Sequence, residues 1–183
     1  MKIVVNHDNL TPDDSWQYFY KVRAIIENDK GEFIITNEGG KCIFPGGKID
    51  KGESNREAIK REIKEETGLE FTDDEFNEVL ELHTIYKDFY NFRTDSMQPR
   101  STITTYYYVK CSRPIDYAKL NLTPDEINMG FKIAFVDSNT LLEMLSQDHS
   151  SADNGVYFDE ENRIVIDNVL RNIIENPNKK TMN

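Results

Sequence analysis

Several residue types are scarce in this sequence, and each scarcity narrows the class of protein that it encodes. The 183 residues include one tryptophan and two cysteines, Cys42 and Cys111. Two separated thiols supply neither a disulfide framework nor a zinc motif, and their apolar surroundings predict that both are buried packing residues. No apolar run approaches the roughly 20 residues of a membrane-spanning helix, so no membrane partner is expected.

Positively charged residues are also scarce relative to acidic ones. Lysine and arginine number 22 against 33 aspartates and glutamates, which gives a formal net charge of −11. Such a surface repels a nucleic-acid backbone, so we expect no DNA partner. A small phosphorylated ligand is compatible with this charge, because a metal ion and a few local arginines reverse the potential inside one pocket. The N-terminal stretch reaches an acidic residue at Asp8, too early for a secretory signal, so the cytoplasm is the expected compartment.

What is present indicates a globular chain of mixed α/β class. With 38% hydrophobic residues, we expect a single domain over 1–176, with a short N-terminal extension over about 1–15 and a flexible tail at 177–183. Stretches rich in β-branched and aromatic residues predict the strands, namely 16–27, 33–36, 42–44, 78–90, 101–111 and 131–136. Helices are predicted at 54–67, 139–146 and 162–174, and loops at 88–99 and 147–155.

The helix at 54–67 has the clearest ends. Ser54 and Glu57 form a capping box, in which each side chain satisfies the other residue's free backbone donor. Gly68 stands where a left-handed cap ends a helix. The sequence therefore predicts both boundaries of this element from local rules.

Three carboxylates of this helix share one side. At about 100° per residue, Glu62, Glu65 and Glu66 fall within an arc of about 100°. Like charges four positions apart repel unless a cation compensates, and clustered carboxylate oxygens suit Mg²⁺. The preceding loop, Pro45–Gly47, permits close approach of the backbone to a ligand and offers a bare carbonyl. The alternative interpretation is a solvated helix face with exposed i,i+4 ion pairs.

The whole segment resembles the Nudix box, a motif of glycines, glutamates and one arginine at fixed spacing. The fixed positions of that motif are occupied by Gly47, Glu53, Arg61, Glu62, Ile63, Glu65, Glu66, Gly68 and Leu69. The resemblance implies the Nudix fold, an α/β/α sandwich with a mixed β-sheet in which the box forms a catalytic loop–helix–loop. It also implies a metal-dependent hydrolase that cleaves the diphosphate linkage of a nucleoside diphosphate linked to another group.

By position in the motif, the resemblance implies a role for each acid. Glu62, Glu65 and Glu66 would bind Mg²⁺, with Mn²⁺ as the alternative ion, and the carbonyl of Gly46 would be a further ligand. Glu53 and Arg61 would orient these glutamates. The general base in this family is either a box glutamate, here Glu62, or an acid from a late loop, for which Glu126 is the candidate.

Contacts to a small nucleotide substrate are harder to assign from the sequence. Arg23, Lys48, Arg93 and Arg100 are candidate phosphate contacts, and Tyr86 is a candidate for stacking on a base. The substrate is expected to be a nucleoside triphosphate, an oxidised nucleotide or a dinucleoside polyphosphate. Two other functions stay open, namely a nucleotide-sensing regulatory module and an RNA 5′-pyrophosphohydrolase. The helix at 162–174 packs on the sandwich or on a second subunit, so a homodimer is one alternative.

Overall fold

A computed structural model of the chain describes residues 1–13, 16–91, 94–149 and 154–175. Its strands are β1 (Lys2–Val5), β2 (Gln17–Glu27), β3 (Phe33–Glu38), β4 (Lys41–Ile43), β5 (Asn77–Asn91), β6 (Ser96–Lys110) and β7 (Lys132–Val136). Its helices are α1 (Asn55–Thr67), α2 (Pro124–Asn128), α3 (Ser138–Leu145), α4 (Gly155–Val165) and α5 (Arg171–Glu175). A π-helical turn at Ile166–Leu170 joins α4 to α5.

The strands form one mixed sheet, in the order β1-β5-β6-β2-β3-β4, with β7 also paired to β3. β1 runs parallel to β5 and β2 parallel to β6, whereas the other pairs are antiparallel. One apolar core lies between the sheet and α1, and the other between the sheet and the helices α3 to α5. The predicted α/β/α sandwich with a mixed sheet is therefore confirmed.

Local rules predict α1 well. Ser54 accepts from the backbone N–H of Glu57 in a complete capping box, and Gly68 ends the helix with a φ of 70°. Ala58, Ile59 and Ile63 form the apolar stripe and are fully buried. This burial fixes the rotation of the helix, which in turn fixes where its carboxylates point. Both cysteines are buried, as predicted.

The predicted loop at 88–99 is wrong. β5 and β6 pair out to Asn91 and Ser96, so most of this segment belongs to a long hairpin. The register shifts between Tyr86 and Phe89, and Pro99 lies opposite this irregularity. A proline is tolerated in a strand at a bulge, since no ladder N–H is required there. The asparagine, aspartate and proline content favours a loop in isolation, and pairing along the hairpin overrides it.

Two further boundaries differ from the sequence interpretation. The N-terminal residues were expected to form a short extension. In the structure, their strand β1 pairs with β5 at the edge of the sheet. The C-terminal helix begins at Gly155 rather than at 162. Its first turns were not predicted, because their apolar residues are consecutive and are followed by three acidic residues, so the apolar spacing that predicts a helix is missing. The predicted tail at 177–183 lies outside the described residues. None of the helices in the described ranges combines the length and the apolarity that crossing a bilayer requires.

Candidate active site

The loop before α1 is held as an extra strand along β2. The backbone N–H of Ala24 donates to the carbonyl of Pro45 (2.8 Å), and that of Val22 donates to the carbonyl of Gly47 (2.9 Å). One step further, the N–H of Ile49 donates to the carbonyl of Tyr20 (2.9 Å). These hydrogen bonds hold the loop in place beside β2, with its backbone next to the carboxylates of α1.

Two adjacent glycines in this loop are required for different reasons. Gly46 has a φ of 134°, and a Cβ there would run into the backbone carbonyl of Val22. A Cβ on Gly47 would instead come within 2.5 Å of the carboxylate of Glu62. The first glycine thus serves the path of the chain, and the second leaves space for a carboxylate.

The box carboxylates are held by hydrogen bonds from the box itself. Glu66 is buried and accepts from the backbone N–H of Gly46 (2.9 Å). Arg61 Nη1 donates to Glu62 (2.8 Å) and to Glu65 (3.3 Å). The helix carboxylates are therefore gathered under the loop by one cation and one backbone amide.

Arg61 is fixed in turn by Glu53. The Nε and Nη2 atoms of the guanidinium donate to the two oxygens of Glu53 at 2.9 and 2.8 Å, a paired geometry that restricts the rotation of both side chains. Hydrogen bonding to Arg61 is the main reason that the pKa of Glu53 lies below its ordinary value. Arg61 also donates to the carbonyl of Lys48 (3.1 Å). The orienting part that the motif implies for Glu53 and Arg61 stays a prediction.

Burial and charge act in opposite directions on Glu62. Loss of solvent raises the pKa of this carboxyl above its ordinary value, although the hydrogen bond from Arg61 opposes the shift. Its ionised form is thus costly to bury, and a further positive charge nearby would stabilise it.

Arg23 lies against the loop. Its Nη1 donates to the carbonyl of Phe44 (3.0 Å) and to the carbonyl of Gly46. The predicted phosphate contact and the predicted carbonyl ligand therefore contact each other, so a cation that binds the Gly46 carbonyl has to share it with Arg23 or displace it.

The residues of the box fit a hard divalent cation that takes only a few of its ligands from the protein. Among the described ranges, no three His, Cys, Asp or Glu side chains are grouped closely enough to form a complete protein cage for a metal ion. Mg²⁺ is usually held by one or two carboxylates together with substrate phosphates and water, so a full cage is not required. The carboxylate of Glu62, packed where a Cβ on Gly47 would lie, and the carbonyl of Gly46 offer such oxygen donors.

A cavity of about 550 Å³ opens beside the box loop, between the sheet and α4. Its lining includes five aromatic residues, namely Phe19, Phe89, Tyr90, Tyr157 and Phe158. Four of its lining residues are cationic, namely Lys21, Lys41, Lys48 and Arg100. In a chain with a net charge of −11, this concentration of cations marks a site for an anion.

Two of the predicted substrate contacts, Lys48 and Arg100, line this cavity. The guanidinium of Arg100 lies between Phe19 and Phe89, 3.9 and 4.1 Å from the two ring centroids. Lys48 Nζ lies 5.3 Å from the ring of Phe19, and its backbone pairs with that of Lys21. The cavity and the box are therefore joined through Lys48.

Other predicted contacts have different positions. Tyr86 is buried, stacks on Tyr157 at 3.9 Å and donates its hydroxyl hydrogen to Glu160 (3.4 Å), so it belongs to the core rather than to the described lining of the cavity. Glu126 is partly exposed and accepts from the backbone N–H of Thr123 as the third residue of a capping box. Its part as a general base stays a prediction. Arg93 lies outside the described residues.

Sequence reasoning missed most of the cavity wall. Phe19, Lys21 and Arg23 alternate along β2, so a period of two was the one signal that could place them on the same face. Tyr157 and Glu161 come from a helix whose first turns were not predicted, and no local pattern connects them to β2.

Comparison with known families agrees with this geometry. The profile of the NUDIX domain family matches residues 17–152. The chain belongs to the Nudix family. It is 41% identical over 52 residues to the 8-oxo-dGTP diphosphatase of Escherichia coli (strain K12), a match that covers 25% of this chain and 40% of that protein. It is 39% identical over 61 residues to the CTP pyrophosphohydrolase of the same strain, covering 30% and 44%.

The chain thus spans less than half the length of the curated relatives that it matches. Among solved structures, it resembles the MutT Nudix hydrolase from Burkholderia pseudomallei with a TM-score of 0.53 at 19% identity, over 84% of this chain and 98% of that one. At this identity, the likeness shows a shared Nudix fold.

Proposed function

We propose that this Nudix protein is a pyrophosphohydrolase that uses a divalent cation to hydrolyse a phosphoanhydride bond of a small nucleotide. The substrate class is a nucleoside triphosphate, an oxidised nucleotide or a dinucleoside polyphosphate. One observation carries the proposal: the cation-lined cavity and the box meet at Lys48, which lines the cavity and whose carbonyl accepts from Arg61. The nucleotide diphosphatase and pyrophosphohydrolase names of the two matching relatives support it.

In this proposal, each part of the site has one task. Lys21, Lys48 and Arg23 bind the phosphates and orient the reacting phosphorus toward α1. Mg²⁺ or Mn²⁺ would be held by the Gly46 carbonyl and by one or two of the carboxylates of Glu62, Glu65 and Glu66, together with substrate phosphates. A bound divalent cation supplies positive charge that polarises the phosphoryl oxygens.

Glu62 is the proposed base, and Glu126 is the alternative. Glu62 Oε1 accepts from Arg61, which leaves Oε2 as the oxygen that takes the proton of the attacking water. The water oxygen bonds to phosphorus, the bond from phosphorus to the bridging oxygen breaks, and its electron pair leaves with the departing phosphate. Burial, which raises the pKa of Glu62, brings its basicity closer to what this transfer needs.

A phosphate-release screen tests the proposal. The purified protein is incubated with Mg²⁺ or Mn²⁺ and a panel of nucleoside triphosphates, oxidised triphosphates, dinucleoside polyphosphates and capped RNA. We expect metal-dependent turnover of a small nucleotide, reduced by about 100-fold or more in Glu65→Gln, the size typical of losing a group that stabilises developing charge. Glu70→Gln is the matched control, because Glu70 lies just beyond the same helix and its carboxylate pairs with Lys64 at the surface.

Three outcomes contradict the proposal. Full turnover in the Glu65→Gln, Glu66→Gln double variant would show that these glutamates are not part of the active site. No turnover of any substrate, with a nucleotide that still raises the melting temperature, indicates the sensing module. Turnover of capped RNA alone indicates the RNA 5′-pyrophosphohydrolase.

A further inference from the structure

The start of α4 is joined to the hairpin of β5 and β6 by the side chain of Asn154. Its amide nitrogen donates to the carbonyl of Tyr90 (3.0 Å), and its amide oxygen accepts from the backbone N–H of Tyr90 (2.8 Å). The side chain therefore pairs with both backbone groups of one residue, as an adjacent antiparallel strand does. Tyr90 is 64 positions away in sequence, so this contact connects two separate parts of the chain.

A second contact joins the same two elements within the first turn of α4. The hydroxyl of Tyr157 donates to the carbonyl of Asp88 (3.0 Å), and its ring lies 5.8 Å from that of Phe89. The end of β5 and the start of α4 are thus held together both by hydrogen bonds and by ring packing.

The two joined elements are walls of the cavity. Phe89, Tyr90 and Asn91 line it from the hairpin, and Asn154, Tyr157 and Phe158 line it from the start of α4. Lys48 lines it from the box loop, and its backbone pairs with that of Lys21. A substrate whose phosphates lie beside these two lysines and the box therefore has to place its nucleoside between the hairpin and α4.

We propose that Asn154 is a positioning residue that fixes the spacing of these two walls, and thereby sets the affinity of the site for the nucleoside part of its substrate. This inference rests on the proposed function, because it concerns how the same site takes its nucleotide. Walls that are already in place lose less conformational freedom on binding than walls that must be brought together, so the paired hydrogen bonds strengthen binding without touching the reacting atoms.

The backbone at Asn154 allows the side chain to be removed cleanly. Its φ of 60° lies in the left-handed region, which glycine adopts without steric cost. Asn154→Gly therefore keeps the path of the chain and removes the two hydrogen bonds. The variant is expected to fold, because α4 keeps its buried Val165 and the hydrogen bond between Asp159 and the ring of His149 (2.7 Å).

Asn6 supplies a matched control. Its amide nitrogen donates to the carbonyl of Leu10 (2.9 Å), and its amide oxygen accepts from the N–H of Leu10 (2.8 Å), so it makes the same pair of hydrogen bonds. Asn6 is not among the described residues that line the cavity. Asn6→Gly therefore makes the same chemical change away from the two walls.

Binding of AMP, GMP, CMP and UMP tests the inference apart from hydrolysis, because none of them contains a phosphoanhydride bond. Isothermal titration gives their affinities, and inorganic phosphate is measured by its competition with the bound monophosphate. For the monophosphate that the wild type binds best, we expect Asn154→Gly to weaken binding about tenfold, the effect of losing two hydrogen bonds. Inorganic phosphate should stay within about twofold of the wild type, since it does not reach between the walls.

Tyr157→Phe removes the second contact and keeps the ring in place. We expect it to weaken the same monophosphate about threefold, in the direction of Asn154→Gly, because one hydrogen bond is lost instead of two. Asn6→Gly should leave the affinities for the monophosphate and for inorganic phosphate unchanged. Melting curves of the three variants establish that each folds.

Several results overturn the inference. Equal weakening of the monophosphate and of inorganic phosphate in Asn154→Gly shows general damage to the site rather than a change in its walls. An equal loss in Asn6→Gly, unchanged binding in both Asn154→Gly and Tyr157→Phe, or no binding by the wild type also overturns it. The expected pattern of binding without turnover of any nucleotide would retain this inference and remove the proposed hydrolysis, so the two fail separately.

Discussion

Acidic side chains are placed inside the protein on both faces of the sheet, but they are held by different parts of the chain. On one face, Glu62 and Glu66 belong to a single 13-residue helix and are fixed by Arg61 and by the N–H of Gly46. On the other face, Glu161 of α4 contacts a residue that is 77 positions away in sequence.

This contrast separates two kinds of site. The box is contiguous, so the contacts among its own side chains form within α1 and its loop, and β2 holds that loop in place. The cavity is assembled from β2, β4, β5, β6, α4 and Lys48 of the box loop, and its shape depends on how these elements pack. Chemistry is therefore expected to depend on the contiguous part, and the choice of substrate on the assembled part.

The contiguous part is tested most severely by Gly47→Ala. The added Cβ would lie 2.5 Å from the carboxylate of Glu62, which is the end of a flexible side chain and must swing away. We expect kcat/KM to fall by about 100-fold, since a displacement near 1 Å in a reacting group has effects of this order. The melting temperature should change little, because the backbone does not have to move. Steady-state kinetics and thermal melts measure the two effects.

Gly46→Ala is the informative contrast to that substitution. At this position the φ of 134° is strained for any L side chain, and the added Cβ meets the backbone of Val22 rather than a movable group. The expected result is a loss of folding stability of about 2–4 kcal/mol. Normal activity in Gly47→Ala would show that the carboxylate of Glu62 is not needed where the structure places it.

The same contrast explains what the sequence could predict. The ends of α1, its buried stripe and its carboxylate face follow from capping chemistry and a period of 3.6, which are local rules. The hairpin at 88–99 does not, because Pro99 and its polar neighbours favour a loop until β5 and β6 pair around the bulge. Glu161 gives no local signal at all, since a glutamate in a charged helical turn normally faces solvent.

The assembled part is tested by Arg100→Ala. Its guanidinium separates the rings of Phe19 and Phe89 and adds positive charge to the cavity, so its removal should weaken nucleotide binding. We expect KM to rise about tenfold, the equivalent of about 1.4 kcal/mol, with kcat within about twofold of the wild type. A fall in kcat with constant KM would instead place Arg100 in the chemical step.

Arg113→Ala is the control for this substitution. Arg113 also stacks on an aromatic ring, at 4.3 Å from the centroid of Phe71, and pairs with Glu75. It is not among the described residues that line the cavity. We expect its removal to lower the melting temperature slightly and to leave KM unchanged, which separates the loss of an aromatic contact from the loss of a substrate contact.

The smallest expected effect is a change in the melting temperature when Glu62 is substituted. Burial raises the folded-state pKa of this carboxyl above its unfolded value, so the folded state favours the protonated form. The favourable contribution of Glu62 to folding stability is fully present below the pKa of this group in the unfolded chain. It is lost as the pH rises through the pKa of the folded state, because an ionised group is then buried. Glu62→Gln removes that charge and keeps an acceptor for Arg61. In a metal chelator at neutral pH, we expect its melting temperature to exceed that of the wild type by about 1–3 °C.

The pH dependence of this difference decides its cause. Near pH 4, below the folded pKa, Glu62 is protonated in the folded wild type as well, so the two melting temperatures should converge. Glu65→Gln is the control on the same helix, since Glu65 is partly exposed and should gain little at either pH. If Glu62→Gln raises the melting temperature by the same amount at both pH values, the gain comes from packing and not from the removal of a buried charge. A variant that is less stable at neutral pH would show that the ion pair with Arg61 outweighs the burial of the charge.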